Sequence, residues 1–197
     1  MRKGFTAPEA SVRVFHEGQA CVNALPGDMI LVQHDGFAPA VIRFGQRVRY
    51  FMLRHLFRRK EFLKIYCQYN HSMIVVDGGP EATVCQMEAA GGRIVKLRDY
   101  VDRKYVVVSP TNVHDTQRLA ARRFAVWCED INYGWFSIFG DVLDVLIPVI
   151  SIALASGVRM VCSTASCLAH RCMGLIPDKS DVSVMPADLA RYYDVKI

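Results

Sequence analysis

Short apolar blocks rich in β-branched residues, separated by glycine, proline and aspartate, dominate the middle of the chain. LPGDMILVQ (25–33) reads as a turn entering a strand. HSMIVVD (71–77), TVCQMEA (83–89), RIVKL (93–97) and KYVVVSP (104–110) are further strand candidates, joined by turns at Gly78, Gly79, Pro80 and at Gly91, Gly92. Together they predict an antiparallel β-meander packed against helices, an α+β fold. Between the first strand and the meander, residues 38–66 repeat apolar positions at three, four and seven, which predicts a basic amphipathic helix broken near Gly45. RLAARRFAVWCEDI (118–131) predicts a second helix.

The apolar run LIPVISIALASGV (146–158) is shorter than the roughly 20 residues that span a bilayer and contains Pro148, so a buried helix or helical hairpin is expected there. A third helix is expected from Cys162 towards Pro177. The tail SVMPADLARYYDVKI reads as a last turn and strand. No repeat or linker divides the chain. The expectation is one domain over 1–197, with a basic helical insertion at about 38–66 and an apolar helical segment at about 142–158.

Composition adds a class and a charge map. With 52% apolar and 22% charged residues the chain is globular rather than disordered. Its net charge of +5 is local: residues 43–64 hold eight Lys or Arg against one Glu, and the rest is slightly acidic. In one reading these arginines form a solvated face over an apolar underside. As function, Arg54, Arg58 and Arg59 draw an anionic partner, for which a membrane surface fits better than nucleic acid, because helical spacing places most of Phe44, Tyr50, Phe51 and Phe57 on the buried side. The amino terminus lacks the apolar stretch of a secretory signal. Seven scattered cysteines without a CxxC pair point to reduced thiols. The expected location is cytoplasmic or peripheral to a membrane.

Candidate chemistry centres on Cys162. A helix N-terminus stabilises a thiolate through free N–H groups and the helix dipole, whereas Cys167 and Cys172 lie deeper in the same helix and are expected to pack. A thiol nucleophile needs a base and a group to orient it. His71 opens one strand just after Asn70, and Glu88 closes the next, so antiparallel pairing brings them to one end of the sheet. Asn70, and His34 after the first strand, are expected to line the substrate at the same end. Cys167, His170 and Cys172 cannot converge on one ion from a single helix. No metal or cofactor is required.

The ordered series GDMILVQ, NHSMIVVD, VCQMEAAGGRIVKLRDYV, KYVVVSP, NYGWFSIFGD and VCSTAS resembles the circularly permuted NlpC-type papain-like cysteine peptidases, specifically the YiiX/YebB-like group, from about Gly27 to about Leu175. The resemblance implies a permuted papain-like fold with Cys162 as nucleophile, His71 as base, Glu88 orienting the base, and Tyr133 lining the site. It implies a thiol hydrolase cleaving peptide or peptidoglycan-type amides. The chain departs from the family in having Ser163, Thr164 and Ala165 after the cysteine and Gly134 after Tyr133. Lecithin retinol acyltransferase-like proteins share the order and suggest a lipid-ester alternative. They carry a second His where Glu88 stands and an NCEHF context, both absent here. A scaffold binding an anionic partner is the third alternative. Catalysis of the family kind requires His71 and Cys162 to meet in one groove.

Overall fold

The computed structural model describes residues 8–56, 58, 63–88, 90–133, 159–176 and 184–196. Six strands form one antiparallel sheet: β1 (Ala10–Phe15), β2 (Met29–Val32), β3 (His71–Asp77), β4 (Thr83–Glu88), β5 (Gly91–Lys96) and β6 (Tyr105–Pro110), in the order β1-β6-β2-β3-β4-β5. The expected α+β class and antiparallel sheet are therefore present, and β3, β4 and β5 form the meander. The fourth strand does not extend it. A 3-10 turn at Leu97–Tyr100 carries the chain back so that β6 inserts between β2 and β1. β1 was not anticipated, because an edge strand with two exposed positions lacks the continuous apolar run of its neighbours.

Helix α1 (Phe37–Phe51) follows β2, α2 (Asp115–Trp127) follows β6, and α3 (Cys162–Cys172) and α4 (Pro186–Tyr192) complete the described helices. Three expectations are corrected here. α1 runs through Gly45 unbroken. The basic stretch to Tyr66 is not one helix: α1 passes into a wider π-type turn at Met52–Leu56, and a separate 3-10 turn spans Lys64–Gln68. The tail is helical rather than extended, because Pro186 presets the first turn and Asp188 accepts the Met185 N–H at 3.1 Å. The apolar segment 142–158 lies outside the described residues. Two short strands, β7 (Asn132–Tyr133) and β8 (Arg159–Met160), pair in parallel just before α3.

The sheet is buried on both faces, which explains the continuous apolar runs of β2, β3 and β6. One face, through Met29, Leu31, Ile74, Val76, Val106 and Val108, packs on α2, α3 and α4. The other, through Ile30, Val32, Met73, Val75 and Val107, packs on Leu97, Tyr100, Cys21 and Ala24. A buried ion pair ties the layers. Asp28, at the start of β2, receives Arg118 Nη1 of α2 at 2.9 Å, the Leu25 N–H at 3.0 Å and the Ser109 hydroxyl of β6. Among the described residues no helix is long and apolar enough to cross a membrane.

Candidate active site

Cys162 is the first residue of α3, as the sequence predicts, and is 5% exposed. Its sulfur lies against the start of β3. The backbone N–H groups of Ser72, Ser163 and Cys162 itself, with the Ser72 hydroxyl, favour the thiolate, but burial outweighs them and pushes the thiol above its ordinary value. Ser166, one turn further along α3, donates its hydroxyl to Ser72 at 2.9 Å. A cavity of about 10 Å³, room for roughly one water molecule, adjoins the sulfur and is lined by Ser72, Met87, Phe124, Cys85 and Cys128 among others. Hydrogen bonding between Cys85 and Cys128 lowers the first thiol and raises the second. Six of the seven cysteines are buried, including Cys167; Cys172 is exposed, contrary to the expectation that it packs.

His71 stands on the opposite face of the sheet. Successive strand residues point to alternate faces, so Ser72, sharing the helix-facing side with Ile74 and Val76, meets Cys162, while His71 shares the other side with Met73 and Val75. There its ring meets His34 edge-on at 5.2 Å, and His34 meets Tyr100 at 5.8 Å. The convergence of His71 and Cys162 in one groove is thus corrected for this conformation. Burial lowers His71 to about 3, aided by His34 and opposed by a hydrogen bond with Gln86. Its Nε2 is buried without a hydrogen-bond partner among the described residues. Burial and Arg103 lower His34 to about 4. Both imidazoles are neutral at physiological pH, and the thiol is protonated.

The remaining expected site residues fall into place around this arrangement. Extending the β3–β4 register from Met73 opposite Gln86 sets His71 opposite Glu88, as the turns suggest. The orienting partner of the ring is nonetheless Gln86, which also accepts the Tyr100 hydroxyl. Asn70 does not line a substrate channel. It is 2% exposed, accepts the His34 N–H at 2.9 Å and donates to the His34 carbonyl at 2.8 Å, so it fixes the loop after β2. Tyr133 lies in β7, and its side chain is outside the described ones. Arg54 sits 5.9 Å over the Tyr50 ring, Arg58 is exposed, and Arg59 lies outside the described residues. Ser72, Gln86, Tyr100 and Arg103 were missed; strand alternation from His71 is the signal that would have placed Ser72 under the helix.

His170, on the same helix as Cys162, is wholly buried between the Gly27 carbonyl, 3.1 Å from Nε2, and the Tyr193 hydroxyl at Nδ1. It is a packing hydrogen-bonder, as are the serines of α3. Among the described residues no group of three or more His, Cys, Asp or Glu could hold a metal ion. A scan of protein-family models finds no match to the chain, and no curated protein matches it at a significant level.

Proposed function

We propose that the chain is a cysteine hydrolase with the permuted NlpC-type papain-like arrangement, cleaving amide bonds of peptide or peptidoglycan type with Cys162 as nucleophile. The observation that carries this is the placement of one sulfur at the start of a helix, on a cavity, facing the N–H groups of Ser72, Ser163 and Cys162. The imidazole takes the Cys162 proton, the thiolate attacks the carbonyl carbon, the C–N bond breaks as the imidazolium returns that proton to the leaving amine, and water, deprotonated by the same ring, then hydrolyses the thioester to restore the thiol. Once the sulfur is bonded to carbon, the N–H groups that faced it can turn to the oxyanion, where each donor is worth about 3 kcal/mol.

The base is His71, and catalysis requires its ring to pass from the His34 side to the Ser72 side. Two features favour that movement. His71 is the first residue of β3, and its Nε2 is unpartnered among the described residues. The opposite faces of the two residues favour a second reading, a scaffold without catalysis.

Incubation with short muropeptides and with lipid acyl esters, followed by mass spectrometry, separates these. The expected result is amide cleavage with an acyl adduct on Cys162, abolished in Cys162→Ala and reduced by about 100-fold or more in His71→Ala. Activity that survives Cys162→Ala overturns the nucleophile, and activity that survives His71→Ala overturns the base. Acylation from lipid esters alone assigns the lipid alternative. No adduct from any substrate assigns the scaffold.

A further inference from the structure

The outer face of α1 is built unlike an ordinary solvated helix. At 100° per residue, the positions of α1 that pack inward, Gly45, Gln46 and Arg49, cluster on one side, and Phe44 and Phe51 lie almost diametrically opposite. They are 68% and 56% exposed. This corrects the expectation that most aromatics of the basic segment face the core, which among the described ones holds for the half-buried Tyr50 alone; Phe57 lies outside the described residues. Val41, one turn before Phe44, is also exposed. The exposed Arg47 flanks the phenylalanines along one edge, Arg54 of the π-type turn lies over Tyr50, and the exposed Arg58 follows the turn.

Charge separates this face from a protein-docking stripe. The stretch 37–58 contains five arginines and no acidic residue. Arg43 is engaged by the His34 carbonyl and Asp35, and Arg49 by Asp188. Among the described residues no carboxylate pairs with Arg47, Arg54 or Arg58. Two protruding aromatics beside three cations with no carboxylate partner among the described residues match a partner that offers hydrocarbon beneath a layer of negative charge.

We propose that α1 is a membrane-surface anchor: Phe44 and Phe51 enter the boundary between headgroups and acyl chains of an anionic bilayer, while Arg47, Arg54 and Arg58 meet lipid phosphates. The helix lies in the interface and does not cross it. This surface stands independently of any reaction at Cys162.

Flotation of the full chain with vesicles tests it, using phosphatidylcholine alone and phosphatidylcholine mixed with phosphatidylglycerol. The chain is expected to float with the mixed vesicles and not with the neutral ones. Phe44→Ser with Phe51→Ser should abolish flotation without moving the thermal midpoint, since both rings are more than half exposed. Arg47→Gln and Arg54→Gln should each weaken binding about fivefold. Failure to float with mixed vesicles overturns the proposal, as does flotation indifferent to the phenylalanines, which would mark simple charge attraction. Self-association lost in the phenylalanine variant, or oligonucleotide binding with the same dependence on both residue sets, would also overturn it by assigning another occupant.

Discussion

Replacing Arg118 by Met probes the link between the sheet and α2. Asp28 has no exposed surface, and the Arg118 side chain is 11% exposed. The guanidinium donates through Nη1 to Asp28 Oδ1 and to the Pro26 carbonyl, both at 2.9 Å, and through Nη2 to the Pro110 carbonyl at 2.7 Å. Methionine replaces the aliphatic stem but leaves a buried carboxylate with the Ser109 hydroxyl, the Leu25 N–H and a guanidinium from Arg13 at 3.6 Å. Removing one member of a buried pair costs about 3–5 kcal/mol. For a chain of this length the unfolding entropy is about 0.4 kcal/mol per kelvin, so Tm should fall by about 10 °C. Urea unfolding of Arg118→Met, Asp28→Asn and the double variant completes the test. The double variant should lose roughly 1–3 kcal/mol less than the summed single losses. A loss under about 1 kcal/mol in Arg118→Met, a scale ordinary for surface changes, or strictly additive losses, would refute the clamp and give Arg13 the main role.

Three further outcomes are expected. Iodoacetamide at neutral pH should modify the exposed Cys172 first and the buried Cys162 more slowly in the native chain, as read by peptide mapping; labelling of Cys162 only in denaturant would refute its role as a nucleophile and leave the scaffold reading. Burial lowers His170 to about 3 against the pull of the Gly27 carbonyl, so above pH 6.5 the residue adds no pH dependence. Below that value the unfolded chain takes up a proton that the native ring refuses, and stability falls by about 1.4 kcal/mol per pH unit, or roughly 2 kcal/mol by pH 5. His170→Gln should remove about one proton from that slope in urea midpoints measured against pH, and an unchanged slope would refute the assignment. Gly92→Ala would place its Cβ 1.9 Å from the Cys128 carbonyl oxygen and force the turn after α2 off β5, whereas Gly79→Ala, at φ +89 with nothing within 4 Å, meets only backbone strain of about 1–2 kcal/mol. Equal thermal losses in the two variants would refute this contrast.

Local chemistry made most elements legible. β-branched runs bounded by Gly78–Gly79 and Gly91–Gly92 mark the meander, and the small polar residues after Val161 mark the start of α3. What failed were relations between elements. Nothing local to KYVVVSP says that it returns across the sheet to pair with β2, because a strand buried on both faces reads the same at any central position. The outward turn of Phe44 and Phe51 was hidden because residue spacing defines two faces of a helix but not which one meets the core. The candidate site failed in the same manner. Spacing brought His71, Glu88 and Cys162 to one end of the sheet, whereas the face each occupies depends on Ser72, not His71, lying under α3.

That single-residue offset decides which half of the site can move. Three hydrogen bonds hold the entry to β3: Asn70 N–H to the Val32 carbonyl at 3.2 Å, His34 N–H to Asn70 at 2.9 Å, and Asn70 to the His34 carbonyl at 2.8 Å. At about 1 kcal/mol each, releasing them costs about 3 kcal/mol. Part of this is offset if the buried Nε2 of His71 finds a partner, since an unsatisfied buried group costs about 1–3 kcal/mol. The displacement also gives up the Gln86 hydrogen bond and the pairing of His71 with Val32, so the turned form is a minor state that a bound substrate has to select. Moving the sulfur instead would disturb α3 at every turn, where Ser163 bonds the Val184 carbonyl, Ser166 bonds Ser72, and His170 bonds Gly27 and Tyr193. Cys162 is therefore the fixed member, and the imidazole at the end of β3 is the part whose displacement catalysis would require.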